Sequence, residues 1–197
     1  MSIERIYPDE IQSNETTGEE SLQLHLERYQ YAGSHLLPGS VADIACGAGY
    51  GSYLLATAFA DKVKEIIAAD IDDACIQYAR TRYAHPNIRF VTTDAFSFEP
   101  GMALNNIVSL ETIEHLSDPA AFVQQVSRHL MTGGRFIASA PVTPSMDANP
   151  YHLHDFTINS FKKIFLDAGL TAVNTFIQTQ RYNPLPLLQR RENEART

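Results

Sequence analysis

The order in which short apolar runs alternate with helical patterns constrains this chain more than any other feature. Val41–Ala45 is followed by a helical pattern at Tyr50–Phe59, and Glu65–Ala69 by one at Asp73–Tyr83. Ile88–Val91 leads into a loop around Phe96, Asn106–Leu110 into Pro119–Leu130, and Phe136–Ala140 into Thr157–Ala168. A last extended run covers Thr171–Thr179. Short apolar runs bounded by turn residues suit strands buried on both faces. Their alternation with helices predicts an α/β fold: a doubly wound, mostly parallel sheet with helices on both faces and right-handed crossovers. Upstream, Glu19–Leu37 predicts a helix with Leu22, Leu26, Tyr29 and Leu36 on one face, stopped by Pro38-Gly39. The expected organisation is a helical cap over 1–35, an α/β domain over 36–183 and a polar tail over 184–197, together one domain.

The 197 residues suffice for one domain with a full core. No apolar stretch approaches the ~20 residues of a membrane helix. The first eleven residues carry acids and a proline and hold no apolar segment, against a secretory signal. Cys46 and Cys75 are the only cysteines, and neither sits in a CxxC pair, so a reducing cytoplasm is the expected compartment. Net charge is -8, and the short arginine clusters Arg80/Arg82 and Arg190/Arg191 make no basic stripe. That balance disfavours nucleic acid as a partner and leaves a small molecule as the expected one. Nothing in the sequence sets an oligomeric state.

"VADIACGAGYG", Val41–Gly51, places three glycines at alternate positions directly after the first strand. Glycine weakens regular structure, so the cluster implies either a positive-φ turn or a loop whose backbone approaches a ligand. In open α/β sheets ligands bind beyond the carboxyl ends of the strands. Gly47 and Gly49 are expected to admit the ligand, and Gly51 to let the following helix pack closely. Asp70 ends the second strand, 19 positions beyond Gly51, where an acid binds ribose hydroxyls. The even spacing departs from G-x-G-x-x-G, so the ligand carries a ribose without the pyrophosphate of a dinucleotide.

Five motifs in order, "DIACGAGYG", "AADID", "VTTDAF", "VSLETIEHL" and "LMTGGRFIASAP", resemble the class I S-adenosylmethionine-dependent methyltransferases, from about Leu36 to about Leu170. The resemblance implies a Rossmann-like fold and S-adenosylmethionine as methyl donor, with S-adenosylhomocysteine leaving by in-line displacement. It implies that Asp43 helps hold the amino-acid end of the cofactor, that Ala45, Gly47 and Gly49 line its methionine portion, and that Asp70 binds both ribose hydroxyls. Ile71 is then expected to pack on the adenine, Asp94 to bond its amino group, and Ala95 to add a backbone contact. Three departures stand out. Ala45 replaces the first motif glycine, "ALNNIVSL" replaces the usual segment before the fourth strand, and Pro184 and Pro186 disfavour the antiparallel strand with which the family usually finishes. That last strand is expected to be short, displaced or missing.

"ETIEH" places Glu111, Glu114 and His115 after the fourth strand. Carboxylates also favour helix starts, so a purely structural role competes. His115 admits two chemical roles. As a general base it takes a proton from a hydroxyl while the methyl arrives. Alternatively Glu111, Glu114, His115 and His152 bind a divalent metal, Mg2+, Mn2+ or Zn2+, which activates that hydroxyl. "ExxEH" with a later histidine resembles the metal site of small-RNA 2′-O-methyltransferases. Tyr7, Tyr29, Tyr31, Tyr151 and His154 are candidates for an acceptor pocket. "RYQYAGSHLLPGSVADIACGAGYGSYLLA" with "NPYHLHDF" resembles bacterial methyltransferases of glycan and natural-product pathways. A small-metabolite or sugar O-methyltransferase is therefore the leading expectation. An RNA-terminal ribose methyltransferase and a non-catalytic cofactor-binding module are the alternatives.

Overall fold

The computed structural model describes residues 6–10, 16–144, 146 and 149–179. Helix α1, Thr16–His35, precedes strand β1, Gly39–Ile44. Then follow α2 (Tyr50–Ala58), β2 (Val63–Asp70), α3 (Asp73–Arg82) and β3 (Ile88–Thr92). β4 (Leu104–Leu110), α4 (Pro119–Ser127), β5 (Leu130–Ser139) and α5 (Ile158–Asp167) complete the series. The five strands are all parallel, in the order β3-β2-β1-β4-β5. This is the doubly wound sheet that the alternation predicts.

Successive strand residues face opposite layers. Val41, Ile66 and Val108 pack with Tyr29, Leu55 and Ile76 on one side. Ala42, Ile67 and Ile107 pack with Phe98, Phe122 and Val126 on the other. Helix starts are set by side-chain acceptors: Asp72 caps α3, Asp118 caps α4, and Thr157 and Ser160 form a reciprocal box at α5.

Two boundaries differ from expectation. β5 begins at Leu130, although "LMTGG" suggests a helix end and a turn. The strand register shifts between Leu104 and Asn106, and Gly134 permits close approach to the Met131 and Asn105 carbonyls, so the glycines lie in an irregular strand. Thr171–Thr179 forms no strand. Its groups find partners on α1 instead. Phe176 stacks on Tyr31 with ring centroids 4.8 Å apart, Asn174 bonds His35, and Gln178 donates to the Leu24 carbonyl and to Glu27. Among the described residues no strand follows β5. The expected tail, 184–197, lies outside the described residues, and no described helix is long and apolar enough to cross a membrane.

The segment Ile6–Glu10 crosses α3. Asp9 pairs with Arg82 at 2.5 Å and accepts from Tyr78, while Tyr7 bonds the Cys75 thiol. This clasp delivers Ile6 to the cleft described next.

Candidate functional site

A cleft of about 430 Å3 opens at the carboxyl ends of the strands, within the size range of small-molecule sites. Its floor is the loop after β1. Ala45 and Gly47 both take left-handed backbone, at φ 63 and 55. The Cys46 N–H donates to the Ala69 carbonyl at 2.9 Å, which pins the loop to the end of β2. A side chain at Gly47 would point into open space, so its absence leaves the backbone accessible from the cleft. Gly49 and Gly51 serve other ends. A methyl at Gly49 would meet Ala79 and Phe90, and one at Gly51 would collide with the Tyr29 ring. Gly49 is therefore a packing position and does not line the cleft. Ala45 bears strain that the glycine it replaces would avoid.

Asp70 and Ile71 follow β2 into the cleft. Asp70 accepts the N–H of Gly47 through Oδ2 and that of Asp72 through Oδ1, each at 2.9 Å. Ile71 is 60% exposed, an apolar surface offered to a flat group. Beyond β3, Asp94 and Ala95 line the next stretch, and Asp94 caps a 3-10 turn by accepting the Phe96 N–H at 2.7 Å. Open backbone at Gly47, an acid at Asp70 and apolar surface at Ile71 fit an adenosine group.

Asp43 departs from its expected place. It is fully buried beneath the loop, away from the cleft lining, and accepts from Ser52 at 2.5 Å and from Tyr29 at 3.2 Å. Burial pushes its carboxyl up to about 6, against the lowering effect of the Ser52 and Tyr29 donors. Asp43 thus ties α1 and α2 to β1.

Past β4, Glu111 takes left-handed backbone at φ 50, a strained conformation of the kind that collects at functional sites. Ser139 holds it, donating to Oε1 at 2.6 Å and accepting the Glu111 N–H. Arg28 on α1 reaches Oε2 at 3.4 Å. Residues Ile113–His115 form a 3-10 turn, and the loop 149–156 is stitched onto it. The Leu153 N–H donates to the Glu114 carbonyl at 2.8 Å, and His154 bonds the Leu116 carbonyl at 2.9 Å. His115 Nδ1 lies 3.0 Å from the Tyr151 carbonyl. A carbonyl only accepts, so Nδ1 carries the proton and Nε2 the lone pair.

The ligand atoms of Glu114, His115 and His152 lie within 4.8 Å of one another, and the two imidazoles meet edge to face at 4.7 Å. Glu111 lies outside this group, its carboxylate engaged by Ser139 and Arg28. Three of the four expected ligands converge. Of the expected pocket tyrosines, Tyr29 lines the cleft, whereas Tyr31 stacks on Phe176 and Tyr151 contributes its carbonyl.

Sequence reasoning overlooked His25 and Arg28, which join Tyr29 in the wall contributed by α1. Their signal was present: they share the helical spacing of Tyr29 and Ala32 and interrupt that face with polar groups. His25 bonds the Tyr50 hydroxyl at 2.9 Å, and burial, with Arg28 nearby, holds it down to about 4, neutral at physiological pH.

Residues 41–134 match the family described as "Methyltransferase domain". The chain is 29% identical to a probable S-adenosylmethionine-dependent methyltransferase of Mycolicibacterium smegmatis over 153 residues, 75% of this chain and 58% of the relative. The chain spans little more than half the length of the curated relatives it matches. In fold it is similar to the magnesium protoporphyrin IX methyltransferase of Synechocystis, solved with bound S-adenosylhomocysteine (TM-score 0.66, 17% identity, 88% of this chain and 85% of that one). It is also similar to the [4+2]-cyclase SpnF (TM-score 0.60, 17% identity, 85% of this chain and 64% of that one).

Proposed function

We propose that residues 41–134, which match the family described as "Methyltransferase domain", form a class I S-adenosylmethionine-dependent methyltransferase domain, and that the protein methylates a hydroxyl of a small metabolite or sugar. The observation that carries this reading is the sharing of one cleft by Asp70, Gly47 and His115. When bound, the cofactor supplies an electrophilic methyl carbon on its sulfonium sulfur. Asp70 accepts from the ribose hydroxyls, and Ile71 and Ala95 cover the adenine. Leu110, Leu116 and Leu153 line the cleft and exclude water from it. His115 takes the proton of the acceptor hydroxyl at Nε2, and the Tyr151 carbonyl steadies the resulting imidazolium through Nδ1–H.

The experiment is a release assay for S-adenosylhomocysteine with the purified protein and a panel of sugars and small alcohols. Turnover that produces a methyl ether supports the reading. Cofactor binding without transfer to any acceptor favours the non-catalytic module instead.

The convergence of Glu114, His115 and His152 favours one second reading. A divalent ion held there would lower the pKa of a bound hydroxyl, as a metal-dependent methyltransferase of RNA-terminal ribose requires. Net charge of -8 weighs against an RNA substrate. Elemental analysis, and assays on small RNA with and without chelator, decide it. Metal-free protein that stays active, or no transfer to RNA, removes this reading.

A further inference from the structure

Among the described residues lining the cleft, Arg28 is the only lysine or arginine. It comes from α1, outside the matched residues 41–134. Its Nη2 stands 3.4 Å from Glu111 Oε2, with the two side chains 16% and 20% exposed. Glu111 is itself held from behind by Ser139. Glu111 is the single ion-pair partner of Arg28 among the described residues, through one nitrogen. A guanidinium presents five donors in a planar fork and has capacity for a second carboxylate.

The order of the sheet says which part of a ligand reaches this pair. Asp70 ends β2, the glycine loop follows β1, and Glu111 follows β4. Neighbouring strands stand roughly 4.8 Å apart, so Asp70 and Glu111 are separated by about 10 Å along the edge. With ribose at Asp70 and the chain of the ligand crossing the open backbone of Gly47, the far end arrives at Arg28 and Glu111. That end of S-adenosylmethionine is a zwitterion, an ammonium beside a carboxylate. A cation beside an anion, both partly shielded from water, is its complement. Asp43, expected to serve this end, is buried and engaged by Ser52 and Tyr29.

We propose that Arg28 binds the carboxylate of the amino-acid end of the cofactor while Glu111 receives its ammonium. The assignment rests on the cofactor reading above and adds a residue outside the matched residues 41–134.

Calorimetry with two ligands tests it. S-Adenosylhomocysteine carries the amino-acid end, and 5′-methylthioadenosine has the same adenosine and sulfur without it. Arg28→Ala should weaken the first at least tenfold and leave the second within about twofold, and Arg28→Lys should recover part of the loss. Equal weakening of both ligands would mean that Arg28 only supports α1, and unchanged affinity for both would mean that it touches neither. Either result overturns the assignment and leaves the cofactor reading standing. Wild-type protein that binds neither ligand overturns both. If Arg28→Ala melts below the assay temperature, Arg28→Lys and Arg28→Gln carry the same two-ligand comparison.

Discussion

The carboxylate of Asp70 accepts the backbone N–H of Gly47 at 2.9 Å, so the acid that ends β2 is bonded to the loop that ends β1. The two halves of the nucleoside site are therefore one unit. Asp70→Ala should lower affinity for S-adenosylhomocysteine at least tenfold by calorimetry. It should also cost about 1–3 kcal/mol of stability, because the Gly47 N–H loses its acceptor. Asp70→Asn keeps one acceptor oxygen and should cost less of both. Unchanged affinity in the alanine variant would withdraw the ribose assignment.

Tyr29 lies where a side chain at Gly51 would go. Gly51→Ala should destabilise the protein by about 1–3 kcal/mol through overpacking. Tyr29→Ala alone should destabilise it too, by removing a buried ring and a donor to Asp43. In the double variant the first penalty should largely vanish, because the collision partner is gone. Simple additivity in denaturant melts would show that the ring and the glycine are independent.

Asp43 and His25 pull stability in opposite directions over one pH window. Folded Asp43 titrates at about 6 and an unfolded aspartate at 3.8. The folded state holds the extra proton between them, so stability from this group falls as pH rises from about 4 to about 6. Folded His25 titrates at about 4 and an unfolded histidine at 6.5. Here the unfolded state holds the extra proton, so stability from this group falls as pH drops from about 6.5 to about 4. At about 1.4 kcal/mol per unit, each is worth roughly 3 kcal/mol and they nearly cancel. Asp43→Asn should lose stability on acidification more steeply than wild type, and His25→Gln should gain it. Melts that track wild type across pH 4–7 would refute both shifts.

His115 is held by the Tyr151 carbonyl with Nε2 as the basic nitrogen. His115→Asn should lower turnover on a competent hydroxyl acceptor by roughly 100-fold or more. Affinity for S-adenosylhomocysteine should stay within about twofold. A parallel loss of affinity would assign the ring to binding alone.

The sheet, its order of strands and helices, and the acids at the ends of β2, β3 and β4 were legible because each is a local pattern. A strand needs only its apolar run, and Asp70 needs only to end one. The fates of Asp43 and Gly49 were not legible, because they depend on partners brought from afar. Tyr29 reaches Asp43 from 14 positions upstream, and Ala79 and Phe90 approach Gly49 from α3 and β3. Arg28 was missed for the same reason: a single cation on a helix acquires meaning only when the helix is laid across the cleft. Thr171–Thr179 has the composition of a strand, and its contacts with Tyr31 and Leu24 on α1 outweighed that propensity.

Tyr29 belongs to a helix upstream of residues 41–134, yet its ring covers Gly51 and its hydroxyl engages Asp43. A fragment cut to those residues would leave a hole over the first turn of α2 and a buried carboxylate short of a donor. The stretch that matches the family model is thus smaller than the cooperative unit that melts. Any transplant of this nucleoside pocket onto another scaffold has to carry the upstream helix with it.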